Sequence, residues 1–188
     1  MQPFNADARE LLGVALFQTQ QFAASVEEFS AASRLRPRSV PLLCNLASAL
    51  MAAGRIPEAL ACSQQATKLN PASVDAFMKL GDALRLSGRG SEAIAALREA
   101  VRLQPALPFA HNLLGTALAT SGQLAEAAGA FREATRLDPA FAHAHFNLGL
   151  ALRDSGDREE AARAFSAALR LQPDYAAARD ELARLQLR

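Results

Sequence analysis

The sequence predicts an all-α fold made of stacked antiparallel helix pairs, because the same residue types return every 34 positions along the chain. Prolines mark this period at Pro37, Pro71, Pro105, Pro139 and Pro173. A column of leucines accompanies them at Leu12, Leu46, Leu80, Leu114, Leu148 and Leu182. The residue after each of these leucines is small, and this column consists of Gly13, Ala47, Gly81, Gly115, Gly149 and Ala183. A fixed period of this size is typical of repeat proteins, in which each unit packs mainly against its neighbours.

Each repeat is predicted to contain two helices. The predicted pairs are 6–19 with 22–36, 40–53 with 56–70, 74–87 with 90–104, 108–121 with 124–138, and 142–155 with 158–172, followed by a last helix over 176–187. Glycine ends the first helix of four repeats, because it adopts the left-handed conformation without a steric cost. These glycines are Gly54, Gly88, Gly122 and Gly156. In the first repeat Gln20 stands at the same position.

The starts of several helices are also marked in the sequence. Pro41, Pro57 and Pro108 fall in the first turns of predicted helices, where the missing N–H of proline costs little. Asp157 followed by Glu160 predicts a capping box at the start of the second helix of repeat five. These local signals agree with the repeat period.

The repeats are predicted to form a single array over residues 1–188. Its units are about 6–39, 40–73, 74–107, 108–141 and 142–175, with a capping helix over 176–188. The capping helix carries Arg179 and Glu181, and a polar terminal unit keeps a repeat array soluble. The first repeat is more apolar, with residues such as Phe4 and Val14, so homo-oligomerisation through the N-terminal repeat stays open.

These columns resemble the tetratricopeptide repeat (TPR) family over nearly the whole chain. The fourth repeat shows the family pattern as His111, Leu114, Gly115, Leu118, Ala127, Phe131, Ala134 and Pro139. Departures are small: Ser25 replaces the usual alanine, and Ser63 replaces the aromatic residue of repeat two. The resemblance implies a right-handed α-solenoid, the TPR superhelix. It further implies that the first helices line a concave groove that binds a peptide or helix of a partner protein.

Composition excludes several classes of function. The net charge is +1 and no long basic run occurs, so the electrostatic footprint of a nucleic-acid-binding protein is missing. No apolar run approaches the ~18–20 residues of a membrane helix, and the opening residues lack the pattern of a secretory signal. A cytoplasmic location without membrane insertion is therefore expected. Only Lys68 and Lys79 among the 20 basic residues are lysines, which favours a bacterial origin.

No catalytic, cofactor-binding or metal site is expected. His111 and His145 share a repeat column and are predicted to be packing residues, while His143 and His145 point to different faces of one helix, unlike a helical zinc site. Cys44 and Cys62 form no CxxC motif and are predicted to fill helix faces. Nucleophile, phosphate-loop and dinucleotide motifs do not occur. The sequence therefore predicts a protein that is not an enzyme.

Repeat positions assign twelve residues to the groove that the resemblance implies. The proposed partner-binding residues are Asn45, Met51, Met78, Lys79, Asp82, Arg85, Phe109, Asn112, Thr116, Phe146, Asn147 and Arg153. Val14 and Phe17 occupy the same face in the first repeat. Asparagine both donates and accepts hydrogen bonds, so it can bond a peptide main chain of any sequence, while phenylalanine and methionine offer apolar contacts. Lys79, Arg85 and Arg153 are expected to contact acidic groups.

The asparagines suggest two functions. Asn45 and Asn147 share one repeat position, and Asn112 lies one residue earlier in its own repeat. The arrangement resembles the asparagine ladder in the TPR region of O-linked N-acetylglucosamine transferases, although Lys79 and Leu11 interrupt it. The asparagines alternatively bond neighbouring helices. The favoured function is a non-catalytic scaffold that binds a partner protein or peptide. The alternative is the substrate-recognition region of a larger enzyme such as an O-linked glycosyltransferase.

Overall fold

The structure, a computed structural model, describes residues 5–186, and these residues form eleven helices. The helices are α1 (Ala6–Gln18), α2 (Phe22–Leu35), α3 (Val40–Ala52), α4 (Ile56–Leu69), α5 (Val74–Leu86), α6 (Gly90–Leu103), α7 (Pro108–Thr120), α8 (Leu124–Leu137), α9 (Ala142–Asp154), α10 (Arg158–Leu171) and α11 (Ala176–Gln186). The predicted helix pairs are confirmed: each helix begins at the predicted residue, and α1 to α10 end one residue earlier than predicted. Phe4 and the last two residues of the predicted capping helix lie outside the described residues.

The helices pack into two compact units, Met1–Leu103 and Gln104–Arg188. In the first unit α1 pairs with α2, α3 with α4, and α5 with α6, and the second helix of one pair also packs on the first helix of the next. In the second unit α7 pairs with α8 and α9 with α10, and α11 packs on α10. The first helices of successive pairs also touch, α1 with α3, α3 with α5, and α7 with α9. Because the connecting loops are only a few residues long, consecutive helices run antiparallel.

Side chains cap three of the helix starts as their residue types predict. At the start of α5 the Ser73 hydroxyl accepts the backbone N–H of Ala76 at 3.2 Å. The side-chain oxygen of Asn5 accepts two backbone N–H groups of α1, at 3.0 and 3.3 Å. The carboxylate of Asp157 accepts the backbone N–H of Glu160 at 3.1 Å, which confirms the first half of the predicted capping box. The second half does not form, because the Glu160 carboxylate accepts a hydrogen bond from Arg132 at 2.7 Å instead.

In four of the helix pairs, a large side chain of the second helix packs on a glycine of the first helix. A Cβ atom placed on Gly115 would lie 2.6 Å from the ring of Phe131, which is closer than real carbon atoms approach. The ring therefore packs directly on the glycine backbone. The equivalent contacts join Gly13 to Phe29, Gly81 to Leu97 and Gly149 to Phe165.

The two departures from the family pattern have local explanations in the first unit. In repeat two the ring is replaced by Ser63, whose hydroxyl donates to the carbonyl of Ala59 at 2.8 Å, and the small residue of the first helix is Ala47 rather than glycine. In repeat one the hydroxyl of Ser25 donates to the carbonyl of Gly13 at 2.8 Å. Both hydroxyls are buried, and these bonds remove the cost of burying them.

Both cysteines are free thiols that pack on helix faces, as the sequence predicts. Cys44 is buried in a cluster with Leu43, and Cys62 packs against the main core of the unit. Burial, together with the nearby Asp75 carboxylate, raises the pKa of the Cys44 thiol to about 12. Burial also raises the pKa of Cys62. Both thiols therefore stay protonated at neutral pH, and neither has the thiolate character of a reactive cysteine.

The turns that follow the first helices share one backbone conformation. The four turn glycines have positive φ angles, from 75° at Gly54 and Gly88 to 92° at Gly156. Gln20 adopts the same left-handed conformation with a φ of 59°, although it carries a side chain. The repeat geometry thus imposes this turn even where the sequence offers no glycine.

We expect Gln20→Gly to stabilise the protein by about 0.5–1 kcal/mol. A left-handed residue with a Cβ atom costs roughly 1–2 kcal/mol, and glycine removes this strain. The greater freedom of glycine in the unfolded chain cancels about half of the stabilisation. Urea unfolding followed by circular dichroism measures the change. Gln21→Gly is the matched control, because Gln21 has a φ of −86° and relieves no strain. An unchanged or lower midpoint for Gln20→Gly would contradict the argument.

We expect Gly115→Ala to lower the free energy of unfolding by up to about 2 kcal/mol. The added methyl group overpacks the contact with the buried Phe131 ring, at roughly 1–3 kcal/mol, and the better helix propensity of alanine recovers about 1 kcal/mol of this. Gly129→Ala is the control within the same unit, since nothing lies within 4 Å of a Cβ atom placed on Gly129. The control is expected to be stabilised, so changes of the same sign in both variants would refute the contact as a packing constraint.

Candidate functional site

The twelve residues proposed to bind a partner all lie on the first helices of repeats two to five, on α3, α5, α7 and α9. We call the exposed side of α1, α3 and α5 the first-helix face of unit 1, and the exposed side of α7 and α9 the first-helix face of unit 2. Within each unit the first helices of successive repeats touch one another, so the proposed residues of that unit lie on adjacent helices.

Two asparagines make equivalent hydrogen bonds on these faces. The side-chain amide of Asn45 donates to the carboxylate of Glu10 at 3.3 Å, and that of Asn147 donates to the side-chain oxygen of Asn112 at 3.0 Å. In both cases the acceptor lies 35 residues earlier, on the preceding first helix. Each asparagine is half-buried.

Asn112 has a different position from the one expected. It is buried, with 8% of its surface exposed, and its side-chain oxygen holds the amide of Asn147. Its backbone carbonyl accepts the hydroxyl of Thr116 at 2.9 Å. The structure therefore places Asn112 beneath the surface as the support of Asn147, and the Thr116 hydroxyl is already bonded to its own helix.

The three basic residues on these faces already have carboxylate partners. Arg85 pairs with Asp82 at 2.6 Å, and the Nζ atom of Lys79 lies 3.8 Å from Asp75. Arg153 pairs with Asp154 at 2.7 Å and also with Glu181 of α11. An acidic group of a partner would have to compete with these carboxylates.

The apolar residues of the proposed site differ in their accessibility. Phe109 is exposed, and its ring stacks on that of Phe141 at a centroid distance of 6.5 Å. Phe146 is half-buried between the rings of Phe165 and Tyr175, at 5.7 and 4.8 Å. On unit 1, Met51 packs against the core and Met78 is half-buried on α5. Phe109 thus presents the most accessible apolar side chain among these residues.

A pocket of about 360 Å³ opens on the first-helix face of unit 1, between α1 and α3. Its lining consists of Val14, Phe17, Gln18, Phe29, Asn45 and Ser48. Phe29 belongs to the second helix of repeat one, and it reaches this face because its ring packs on Gly13. The proposed site residues did not include it, and the glycine column is the sequence signal that points to it.

A second pocket, of about 260 Å³, lies at the same repeat position in unit 2. Its lining includes Thr116, Ala119, Thr120, Phe131, Asn147 and Leu150, the counterparts of the six residues of the first pocket in the same order. Asp154 also lines it. Each unit thus presents a pocket with an aromatic floor and a hydrogen-bonded asparagine in its wall.

The histidines of the repeat column have structural roles. The Nε2 atom of His111 donates to the carbonyl of Pro105 at 2.8 Å, and that of His145 donates to the carbonyl of Pro139 at 3.1 Å. Arg179 makes the corresponding bond to Pro173 at 2.7 Å.

Among residues 5–186, no three His, Cys, Asp or Glu side chains come close enough together to hold a metal ion. The same part of the chain contains no helix that is long and apolar enough to cross a membrane.

Comparison with solved structures shows the same fold. A thermophilic TPR protein of Thermus thermophilus, TTC0263, superposes with a TM-score of 0.83 at 22% identity, over 98% of this chain and 100% of that one. YrrB, described as a TPR protein with an unusual peptide-binding site, gives 0.68 at 23% identity, over 95% of this chain and 92% of its own. MamA of Desulfovibrio magneticus RS-1 gives 0.74 at 22% identity, with 90% and 96% coverage.

Comparison of the sequence with protein families agrees with the structure. No curated protein matches the chain. The model of the tetratricopeptide repeat matches residues 1–40, 44–108, 112–176 and 148–188. These matches cover nearly the whole chain, and each helix lies wholly or largely within them. The chain therefore belongs to the tetratricopeptide repeat family.

Proposed function

We propose that the protein is a non-catalytic scaffold that binds a polypeptide segment of a partner protein on its first-helix faces. Membership of the TPR family supports a role in protein–protein interaction. The observation that carries the proposal is the placement of Asn45 and Asn147, each fixed by a hydrogen bond to the preceding first helix and each in the wall of a pocket.

The fixed orientation of these asparagines suits them to bind a main chain. One N–H of Asn45 is committed to Glu10, which leaves the side-chain oxygen to accept the N–H of a bound peptide bond. Because the side chain is already ordered, binding costs little further rotamer entropy. YrrB, a structurally similar TPR protein, is described as having a peptide-binding site. This similarity supports a peptide as the ligand.

Because the basic residues of the first-helix faces form ion pairs, we infer that charge contributes less to partner binding than the sequence predicts. Lys79, Arg85 and Arg153 each have a carboxylate partner, so a partner's acidic group gains only by displacing it. We therefore assign recognition to the asparagines and to the apolar residues, such as Phe109 and Phe146, with the basic residues in a secondary role.

A peptide display experiment tests the proposal. A random peptide library is selected on the immobilised protein, and the affinity of enriched peptides is measured by fluorescence anisotropy. We expect the double variant Asn45→Ala, Asn147→Ala to bind at least about tenfold more weakly, as the loss of two hydrogen bonds of about 1 kcal/mol each implies. The helical circular dichroism of the variant should match that of the wild type.

Asn70→Ala is the matched control, because Asn70 is an exposed asparagine in the loop between α4 and α5 and belongs to no first helix. Its affinity should equal that of the wild type. Failure to enrich any peptide above a blank surface, or equal affinity of the double variant and the wild type, would refute the proposal.

Self-association through the first repeat is a second candidate function, and one observation favours it. Leu12 is 47% exposed, whereas its counterparts in repeats two, four and five, Leu46, Leu114 and Leu148, are 7%, 9% and 7% exposed. Leu11, next to it on α1, is also exposed. Two adjacent exposed leucines on one helix form the kind of apolar patch that a second copy covers.

Sedimentation velocity over a wide range of protein concentration tests this candidate. We expect the wild type to associate at high concentration, and the double variant Leu11→Gln, Leu12→Gln to stay monomeric because the apolar patch is removed. Leu86→Gln on α5 is the control, since Leu86 is exposed to a similar extent. A wild type that sediments as a monomer at every concentration excludes this candidate.

A further inference from the structure

We infer that the pocket between α1 and α3 binds one large apolar, uncharged side chain of the partner segment. This inference rests on the proposed function and names the chemistry of the residue that unit 1 selects. The pocket measures about 360 Å³, at the lower end of the roughly 300–1,000 Å³ of small-molecule sites. This volume is large enough to hold one large side chain.

The pocket wall is apolar where a side chain would enter. Phe29 forms the floor, Phe17 packs from α1 against the core cluster that contains Phe29, and Val14 stands at the mouth with 37% of its surface exposed. Asn45 and Ser48 line the side formed by α3. The Ser48 hydroxyl donates to a backbone carbonyl of its own helix at 3.1 Å, so it is already bonded. Asn45 thus stands beside the apolar walls, where it can bond the main chain next to the bound side chain.

The surroundings of the pocket disfavour a charged occupant. Residues 11–26 and 39–54, which supply all of its lining except Phe29, contain no Asp, Glu, Lys or Arg. Glu28, beside Phe29 in the sequence, is paired with Arg9, and Glu10 accepts the hydrogen bond of Asn45. A glutamate of the partner would lose its water in this pocket without gaining an opposite charge, which is unfavourable. A lysine would find only the Glu10 carboxylate beside the wall, and it would have to compete with Asn45 for that group. Phenylalanine and leucine carry no such cost.

The corresponding pocket of unit 2 shows which other residues the fold accepts at the pocket positions of unit 1. Val14 corresponds to Thr116, and Ser48 corresponds to Leu150, which adds bulk to the pocket. The variant Ser48→Leu therefore fills the pocket of unit 1 with a residue that occurs at the same repeat position elsewhere in the chain. Val14→Thr makes its mouth more polar in the same way.

Nuclear magnetic resonance titration with capped amino acids tests the inference. The probes are the N-acetyl methylamides of phenylalanine, leucine, glutamate and lysine, each of which offers one side chain and two peptide groups. We expect the phenylalanine and leucine probes to shift the signals of the Asn45 side-chain amide and the Ser48 backbone amide. The glutamate and lysine probes should leave these signals in place. Equal shifts with all four probes, or no shift with any, would overturn the inference.

The variants provide the second measurement. Ser48→Leu should reduce the phenylalanine-induced shifts at least about fivefold, and Val14→Thr should reduce them less. The control Ser91→Leu makes the same change at an exposed position on α6 and should behave as the wild type. Thermal unfolding confirms that each variant is folded. Undiminished shifts in folded Ser48→Leu would also overturn the inference.

The display-selected peptides separate this inference from the proposed function. If their binding is lost in the Asn45→Ala, Asn147→Ala variant but unchanged in Ser48→Leu, the pocket has no role and the scaffold function stands. If neither variant affects binding, both the inference and the proposed function fail. Loss of binding in both, together with enrichment of phenylalanine or leucine in the selected peptides, supports both.

Discussion

The contact between a glycine of the first helix and a ring of the second controls how closely a helix pair packs. In repeat one a Cβ atom on Gly13 would lie 2.8 Å from the ring of Phe29, so the glycine is required for the ring to reach its place. The ring is then buried on one side by α1 and forms the pocket floor on the other. The same relation joins Gly115, Phe131 and the pocket of unit 2. The packing of the repeat and the shape of its surface thus have one cause.

The hydrogen bonds of the asparagines connect this packing to the surface chemistry. A side chain on one first helix is held by a residue 35 positions earlier, which lies on the preceding first helix. The orientation of Asn147 therefore depends on the buried Asn112, and the orientation of Asn45 depends on Glu10. Because a residue of the neighbouring repeat holds each asparagine side chain, the stacking of the repeats determines where that side chain lies. Such ordering before binding is the physical basis of a preformed site.

The 34-residue period was sufficient to predict the helices and to assign residues to the first helices, because turn residues and apolar columns both repeat with it. It did not predict that Asn112 is buried or that Arg153 pairs with Glu181, since both depend on the side chains of a neighbouring repeat. At Gln20 the sequence showed only that a glycine was absent. The structure shows that the packing of α1 on α2 imposes the left-handed turn there, because the cost of one such residue is small beside the burial of Phe29.

The charges of the protein are distributed so that parts of the first-helix faces can remain uncharged. α3 and α7 carry no Asp, Glu, Lys or Arg, whereas the second helices carry exposed ion pairs such as Arg102 with Glu99 and Arg136 with Glu133. The guanidinium of Arg136 lowers the pKa of the Glu133 carboxyl, so this pair stays ionised at neutral pH. Solvation of the molecule therefore depends largely on the second helices. An uncharged stretch of the first-helix face is compatible with solubility for this reason, and it is available to bind an uncharged segment.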